Sequence, residues 1–526
     1  MDQSGGQPRR AAAGGERRGA GPTGQLGGGR QGVASPRQQS GRVLIASNRG
    51  PVSFAVGDNG SLVARRGAGG LVSGLSSVKD HADVLWVCAA LSDADRAAAR
   101  SAPGGRLDAE LTPGKSAVRM LDIPAATFQR AYNSVANSTL WFVHHMLFDT
   151  PNQPGFGLAF RREWESFRAY NAAFAEALAE GAGPGMAGRQ ASAGQARVMV
   201  QDYHLPLVPR MLAEHRPDVK IAHFSHTPWA PPDYYRLLPD EVGCEVLDGI
   251  LGADHAGFLC QRWADAFLSC CAEFLGASVD QAAGTVRYKG KLTSVAVHPL
   301  GVDADELRRR AAAPDVEGQV AALTAITAGQ RLIVRVDRTE LSKNIVRGLA
   351  AYRELLITHP EWRGQVTHLA FAYPSRHDLP EYREYTARVQ RMAGEIEDEF
   401  GTDTWNPLIL QVNDDYARSL AAYRLADVLL VNPIRDGMNL VAKEGAILSE
   451  RACALVLSTE AGAAAELGDD ALLVNPFDVT QTAEALHRGL TMPDSERARR
   501  AARLAAAGAA FPPSAWLQAQ LDALAE

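Results

Sequence analysis

The cations Arg338 and Lys343 stand five residues apart, between an apolar run that ends at Val336 and a helical pattern that begins near Asn344. Arginine presents a bidentate fork of N–H donors and lysine presents a point charge, and both suit a diphosphate group. A solvated or ion-paired surface is the alternative that this spacing leaves open. The loop is therefore a candidate diphosphate site.

Residues 436–444 form a second candidate site, three residues after the predicted strand 428–432. Asp436 and Gly437 favour a tight turn, and the free N–H groups of the helix that follows can hold an anion. Glu444 lies one to two helical turns further on, where a carboxylate can accept hydrogen bonds from ribose hydroxyls. Helix capping by the polar residues of the turn is the alternative.

Polar side chains also follow two other apolar runs. Asp202 and His204 come directly after residues 198–200, and His226 follows residues 221–224 in a proline-rich segment. Such groups at strand ends can bind sugar hydroxyls or move a proton. A helix cap at Asp202 and a hydrogen-bonded core histidine at His226 are the alternatives.

A glycine cluster at residues 67–74 includes Gly70 and could let backbone N–H groups approach a phosphate. It has neither a dinucleotide-binding fingerprint directly after a strand nor a Walker lysine, so a flexible loop is the alternative. The carboxylate pairs Asp93/Asp95 and Asp303/Asp305 lack supporting metal ligands, and we expect them to cap helices.

Alternating strands and helices must position these groups. Short apolar runs, among them residues 42–47, 84–87, 140–143 and 293–297, alternate with amphipathic stretches, and the pattern restarts at residue 331. Such alternation predicts βαβ units with parallel sheets. We expect an α/β protein with two doubly wound halves that join near residues 301–315. Ligands of such sheets bind at the carboxyl ends of the strands.

Composition excludes several classes of protein. The 526 residues are 46% hydrophobic and 22% charged, and 54 Lys and Arg against 60 Asp and Glu give a net charge of −6. A mildly acidic chain lacks the basic face that nucleic-acid binding uses. Because no run of 18 apolar residues occurs, we expect no membrane span.

The first 41 residues differ from the rest, with 12 Gly, 6 Arg and almost no large apolar side chain. Such a segment cannot bury enough surface to offset its ordering entropy, so we predict a disordered tail. It has no apolar core typical of a secretory signal. Six scattered cysteines indicate small buried side chains in a reducing cytoplasm rather than a disulfide framework.

Taken in chain order, segments across residues 42–480 resemble the trehalose-6-phosphate synthase family, and their sequences are most similar to its actinobacterial branch. The segments are Ser47-Asn-Arg-Gly-Pro51, Gly69-Gly-Leu-Val-Ser-Gly74, Tyr132-Asn133 with Leu140-Trp141, Asp202-Tyr-His204, His226-Thr-Pro-Trp229, Arg338 with Lys343, Tyr373-Pro-Ser-Arg376 and Arg435 through Glu444. This family consists of retaining GT-B glycosyltransferases of family 20, with two Rossmann-like domains facing a central cleft. The resemblance implies a disordered tail (1–41), an acceptor domain (42–302), a donor domain (303–510) and a C-terminal helix (511–526) that returns to the first domain.

The resemblance also implies the reaction, in which glucose passes with retention from a nucleotide diphosphate glucose to glucose 6-phosphate, giving α,α-trehalose 6-phosphate. It implies these roles: Arg49, Tyr132, Trp141 and Arg376 hold the acceptor; Gly70 contacts the donor diphosphate; Asp202, His226 and Asp436 contact the donor glucose; Arg338 and Lys343 neutralise the leaving diphosphate; Asn439, Leu440 and Val441 offer backbone N–H groups; and Glu444 binds ribose. We expect no cofactor and no metal, because two cations and a helix terminus balance the diphosphate. The implied setting is cytoplasmic, and a homo-oligomer stays open.

Some positions depart from the family pattern. Ala89 replaces an acceptor-side tryptophan, His144-His145-Met146 replaces Phe-His-Tyr, Asn344 replaces a glycine, and Asp414 replaces a base-stacking aromatic residue. These changes leave the acceptor and the donor base, uracil or guanine, undecided. The alternatives are a pseudo-glycosyltransferase that couples a nucleotide-activated cyclitol to a cyclitol phosphate, and a non-catalytic homologue that only binds sugar phosphate.

Overall fold

The structure is a computed structural model that describes residues 41–57, 59–66, 83–107, 117–183, 195–327, 329–376 and 378–525. The predicted disordered tail, except for Gly41, and the glycine cluster with Gly70 lie outside these described residues.

The strands of the described ranges fall into two groups along the chain. The first group is β1 (Val43–Ser47), β2 (Val52–Val56), β3 (Leu62–Arg66), β4 (Val84–Ala89), β5 (Arg106–Leu107), β6 (Ala117–Leu121), β7 (Arg197–Gln201), β8 (Lys220–Ser225), β9 (His255–Phe258), β10 (Ser278–Asp280), β11 (Thr285–Tyr288) and β12 (Lys291–Val297). The second group is β13 (Arg331–Arg338), β14 (Val366–Tyr373), β15 (Leu408–Gln411), β16 (Val428–Val431), β17 (Ala454–Ser458) and β18 (Leu472–Val474).

Helices connect most of these strands. They are α1 (Asp93–Ser101), α2 (Ala125–Gln129), a π-helical segment (Arg130–Leu140), α3 (Trp141–His144), α4 (Leu158–Gly181), α5 (Val208–His215), α6 (Pro232–Tyr235), α7 (Asp240–Ile250), α8 (Gln261–Leu275), α9 (Ala304–Ala311), α10 (Pro314–Thr327), α11 (Ile345–Thr358), α12 (Pro380–Phe400), α13 (Tyr416–Leu425), α14 (Leu440–Leu448), α15 (Ala464–Leu467), α16 (Val479–Thr491), α17 (Asp494–Ala509) and α18 (Pro513–Ala523). No described helix combines the length and apolar character needed to cross a membrane.

The first group of strands builds a large sheet in the order β10-β11-β12-β9-β8-β7-β1-β4-β6-β5, with β2 and β3 forming a separate hairpin. Neighbours from β12 to β6 pair in parallel, and only the edges are antiparallel. Buried parallel strands are apolar on both faces, as in the first four residues of Val43–Ser47, because helices cover both faces.

The second group builds a fully parallel sheet in the order β15-β14-β13-β16-β17-β18. The sequence prediction of two doubly wound α/β halves is therefore confirmed. One apolar core runs through the first sheet to the inner side of the second, and another lies between the second sheet and α11, α12 and α16.

One predicted strand is wrong. Residues 140–143 end the π-helical segment and begin α3. A four-residue apolar run fits either a buried strand or a helix, so periodicity could not separate the two. Here Val135, Ala136 and Leu140 share the buried side of one helical segment, and tertiary packing decides the outcome.

Asp95 and Asp303 cap helices, as expected. Asp95 completes a capping box with Ser92 at the start of α1, and the carboxylate of Asp303 accepts a hydrogen bond from the backbone N–H of Glu306. The last helix, α18, rests on the first sheet. The Trp516 ring meets Phe224 edge-on with ring centroids 5.0 Å apart, and the N–H of Gly301 donates to the carbonyl of Phe511 at 2.6 Å.

Candidate active site

Lys343 and Asp436 meet at the carboxyl ends of the second sheet. Lys343 ends a single 3₁₀ turn after β13, and its Nζ donates to Asp436 Oδ2 at 2.6 Å. The Asn439 amide donates to the same oxygen at 3.1 Å. Burial alone would lower the pKa of Lys343, but Asp436, Asp337 and Glu340 raise it above its ordinary value. Lys343 is therefore protonated, and its ammonium group is fixed in position by Asp436.

Arg338 lies at the end of β13 with its side chain 60% exposed, so its guanidinium is open to a ligand. Its NH2 lies 3.2 Å from Oε1 of Glu340, which is completely buried. The two predicted diphosphate cations thus lie in one loop, where Lys343 is paired with Asp436 and Arg338 with Glu340.

The sequence reading missed Glu340. Its Oε1 also accepts from the Ser375 hydroxyl at 2.9 Å, while Oε2 has no hydrogen-bond partner in the described part of the chain. Burial would raise the pKa of Glu340, but Arg338, Arg376 and Lys343 bring it down to about 2. The only sequence signal was its place between Arg338 and Lys343, where it reads as an ordinary loop glutamate.

The start of α14 presents backbone N–H groups beside this loop. Asn439 adopts a left-handed conformation with φ 76°, and its side-chain oxygen accepts from the N–H of Ala442. The cap uses the N–H of Ala442 and not the first-turn N–H groups of Leu440 and Val441, which precede it, so helix capping does not exclude the predicted anion site. Glu444 follows on α14, and burial raises its pKa to about 7.

Gly437 lies against the other half of the molecule. A Cβ built on Gly437 would overlap the carbonyl oxygen of His226, so only glycine fits this approach. The Trp263 indole donates to the Gly437 carbonyl at 2.9 Å, across 174 residues of sequence. The turn after β16 is thus fixed against the loop after β8.

His226 and Asp202 form the opposite wall. The backbone N–H of His226 donates to Asp202 Oδ1 at 3.3 Å, and His226 Nε2 lies 2.9 Å from Gln201 Oε1. Burial lowers the pKa of His226 to about 3 and raises that of Asp202 to about 6. The His226 imidazole is therefore neutral at pH 7. Asp202 itself has φ 75°, a strained geometry that the helix-cap reading did not anticipate.

Arg376 organises an aromatic cluster. Its guanidinium carbon lies 4.2 Å from the centre of the Trp141 ring, and its nitrogens donate to the hydroxyls of Tyr382 at 2.6 Å and Tyr203 at 3.2 Å. Burial would lower the pKa of Arg376, but Tyr203 and Glu340 raise it above its ordinary value. Trp141 and Tyr203 come from the first half of the chain, so this cluster also spans both halves.

Tyr132 and Arg49 flank that cluster. The Tyr132 ring stacks between Phe128 and His204, with centroids 5.2 Å and 5.6 Å away. Arg49 is exposed just after β1. The burial of His204, together with the charges of Arg376 and Arg49, lowers the pKa of His204 to about 3. The candidate acceptor residues thus lie close together, and two of them, Arg49 and Arg376, are cations.

His145 and Met146, which depart from the family pattern, lie between the residues around Lys343 and the aromatic cluster around Arg376. His145 stacks on Trp141 with ring centroids 3.8 Å apart. Met146 has φ 55°, and its sulfur accepts from Arg435 NH1 at 2.9 Å. Arg435, whose guanidinium carbon lies 4.7 Å from the Trp263 ring centre, is a second site-adjacent residue that sequence reasoning left without a role.

Two parallel α/β sheets whose carboxyl ends face each other across cations, carboxylates and a helix N-terminus define a glycosyltransferase of the GT-B fold. The sequence model of glycosyltransferase family 20 matches residues 41–526. The chain belongs to glycosyltransferase family 20 and is a retaining hexosyltransferase.

Curated proteins of similar sequence include trehalose-phosphate synthases and a valienyltransferase. The chain is 33% identical over 464 residues to the α,α-trehalose-phosphate synthase [UDP-forming] of Schizosaccharomyces pombe, covering 87% of this chain and 85% of that protein. It is 34% identical to a probable synthase of the same kind from Arabidopsis thaliana, covering 87% of this chain and only 54% of that longer protein. It is 32% identical to the validamine 7-phosphate valienyltransferase of Streptomyces hygroscopicus, covering 92% and 94%.

Solved structures show the same architecture. An α,α-trehalose-phosphate synthase (UDP-forming) from Burkholderia vietnamiensis superposes with a TM-score of 0.77 at 29% identity, covering 92% of this chain and 99% of that one. The E. coli protein bound with UDP-2-fluoro glucose gives a TM-score of 0.77 at 27% identity, covering 92% and 98%.

Proposed function

We propose that the protein is an α,α-trehalose-phosphate synthase that transfers glucose, with retention, from a nucleoside diphosphate glucose to glucose 6-phosphate. One observation carries the proposal: a diphosphate-type cation set, with Lys343 held by Asp436, faces an aromatic cluster centred on Arg376. Two phosphorylated sugars need two such sets. A binding protein for a single sugar phosphate needs only one.

On the donor side, Arg338, Lys343 and the first N–H groups of α14 would hold the diphosphate, and Glu444 would accept from ribose hydroxyls. Asp436, Asp202 and His226 would bind the glucose hydroxyls. The predicted diphosphate contact of Gly70 stays a prediction, since that residue lies outside the described ranges.

On the acceptor side, Arg376 and Arg49 would bind the 6-phosphate, with Trp141 and Tyr132 against the sugar ring. Their support is proximity, since Arg376 contacts Trp141 directly and both arginine charges act on His204. We assign the acceptor to residues 42–302 and the donor to residues 303–510, with residues 511–526 returning to the first sheet.

The chemistry follows from these charges. The bond from glucose C1 to the phosphate oxygen breaks with its electron pair leaving on the diphosphate, and the acceptor oxygen bonds to C1 on the same face. The departing phosphate oxygen takes the acceptor's hydroxyl proton. Arg338 and Lys343 stabilise the charge that develops on the leaving group, the step in which fixed charges accelerate a reaction most. The proposal needs no metal.

The experiment is a product assay with the purified full chain, glucose 6-phosphate, and either UDP-glucose or GDP-glucose. We expect trehalose 6-phosphate, with its α,α configuration assigned by NMR, and equal turnover with and without EDTA. The donor with the larger kcat/KM identifies the base. Absence of the product with both donors would refute the proposal, and nucleotide release that requires a cyclitol phosphate in place of glucose 6-phosphate would favour the alternative acceptor. We place the reaction in the cytoplasm, where both phosphorylated substrates occur.

A further inference from the structure

Away from the candidate active site, the end of α11 meets α16 in a cluster of two imidazoles and two carboxylates. His359 follows α11, and Glu361 lies two residues on, in the 3₁₀ turn Pro360–Trp362. Glu484 and His487 lie three residues apart on α16 and therefore share one face of that helix. Two short chain segments thus each bring one histidine and one glutamate.

The four side chains are in contact. The rings of His359 and His487 stack with centroids 3.7 Å and planes 8° apart. His359 Nδ1 lies 3.2 Å from Glu361 Oε1, and its Nε2 lies 3.5 Å from Glu484 Oε1. One potential ligand atom from each of His359, Glu361 and His487 lies within 4.8 Å of the other two. Ligand atoms bonded at about 2.1 Å to a tetrahedral zinc ion lie about 3.4 Å apart, so these atoms must each move by about 1 Å and the stacked rings must tilt before both face one ion.

Charge favours a divalent cation at this place. The carboxylates of Glu361 and Glu484 lie next to the two ring nitrogens of His359. A divalent ion bound here would balance the charge of both carboxylates. Imidazole and carboxylate ligands together suit zinc and similar transition-metal ions better than calcium or magnesium. The side chains of Glu361 and Glu484 are 59% and 54% exposed, so an ion has a route from solvent.

We propose that this α11–α16 cluster is a binding site for a divalent transition-metal ion, held by His359, His487 and at least one of the two glutamates. The 14 residues of α11 separate His359 from the loop that ends at Lys343 by about 20 Å. The ion is therefore remote from the reacting atoms. Its effect is to clamp α11 to α16, and the transfer reaction proceeds without it.

Trp362 gives the site a built-in reporter. Its indole N–H donates to His487 Nδ1 at 3.1 Å. A neutral imidazole has one proton and one lone pair, so an ion bound to His487 displaces this hydrogen bond or forces the other tautomer. Rotation of the ring about its second side-chain torsion is soft, which allows the exchange. Zinc binding should therefore change the fluorescence of Trp362.

The test is calorimetric titration of metal-stripped, full-length protein with zinc chloride at neutral pH. We expect one saturable equivalent in the wild type, and at least about 10-fold weaker binding in His359→Ala and His487→Ala. The matched control is His215→Ala, because His215 is an exposed histidine that lies next to the Met211 carbonyl of its own helix. It should bind zinc like the wild type. Saturating zinc should raise the Tm of the wild type and not of His487→Ala.

Two further measurements keep the proposal falsifiable. Cobalt in place of zinc should give a spectrum without a thiolate charge-transfer band, since the chain's six cysteines are the competing ligands. Trp362→Phe should bind zinc at least as tightly as the wild type and lose the fluorescence change. The proposal is overturned by no saturable uptake, by unchanged affinity in both histidine variants, by a thiolate band, or by loss of binding in Trp362→Phe.

Discussion

Lys343 and Asp436, 93 residues apart in sequence, form a hydrogen-bonded ion pair of 2.6 Å at the carboxyl ends of the second sheet. Both side chains are about 15% exposed, so the pair is sheltered yet reachable by a ligand. In the proposed reaction the same lysine meets the donor diphosphate and the same carboxylate meets the donor glucose. The ion pair fixes both groups in place before the substrate arrives, which lowers the reorganisation that the reaction requires.

Arg338→Ala should lower kcat by about 100-fold or more, because it removes one charge donor from the leaving diphosphate. The side chain is 60% exposed, so the fold should survive. Arg353→Ala is the matched control, since Arg353 pairs with Glu399 at 2.6 Å on an exposed surface. Steady-state kinetics with both variants provides the measurement. Near-normal turnover of Arg338→Ala would rule out the proposed role.

Arg376→Ala should raise KM for glucose 6-phosphate by about 10- to 100-fold, the effect of losing hydrogen bonds to a charged partner. The donor KM should change little. Unphosphorylated glucose supplies the control acceptor, because the wild type and the variant should use it equally poorly. If the variant still prefers glucose 6-phosphate to glucose as strongly as the wild type does, Arg376 does not bind the phosphate.

Glu444→Gln should stabilise the ligand-free protein at high pH. Burial raises the pKa of Glu444 from 4.5 to about 7. The stability that its protonated form contributes is therefore fully present below about pH 4.5. That contribution is lost as the pH rises through about 7. The glutamine is neutral throughout. Thermal melts from about pH 5 to about pH 8.5 should show the variant's Tm advantage growing up to about pH 7 and then levelling off.

The control for this variant is Glu384→Gln, which removes an exposed glutamate of α12. Its Tm difference from the wild type gives the effect of removing one exposed carboxylate at each pH. A Tm difference for Glu444→Gln that stays constant across the same range would contradict the raised pKa of the Glu444 carboxyl. At one fixed pH, the same variant should also raise the donor KM, because an amide with one accepting oxygen replaces a carboxylate that accepts with two.

Gly437→Ala should reduce kcat by about 100-fold, since its Cβ must push the turn away from the His226 carbonyl and displace Asp436. Gly394→Ala is the matched control, because a Cβ at Gly394 in α12 meets nothing within 4 Å. That change should leave kcat intact and add up to about 1 kcal/mol of stability through helix propensity. Equal activity of the two variants would show that the close approach is unimportant.

The sequence by itself determined the fold class and the kinds of residue at the site. Apolar runs that recur between amphipathic stretches indicated two parallel sheets, because a strand buried on both faces needs apolar residues throughout. The polar groups that follow those runs supplied Arg338, Asp202, His226 and Asp436 as candidate site residues. The same reasoning failed at residues 140–143, where four apolar residues suit a strand and a helix equally.

Only the tertiary structure decided which of these residues meet. The contacts Lys343–Asp436, Arg376–Trp141 and Gly437–Trp263 join distant segments, and no local pattern encodes such distances. Glu340 shows the same limit: its burial among three cations, which brings its pKa to about 2, is a property of the assembled loops. Residue type and local period come from the chain, whereas burial, and with it charge state, comes from everything packed around a residue.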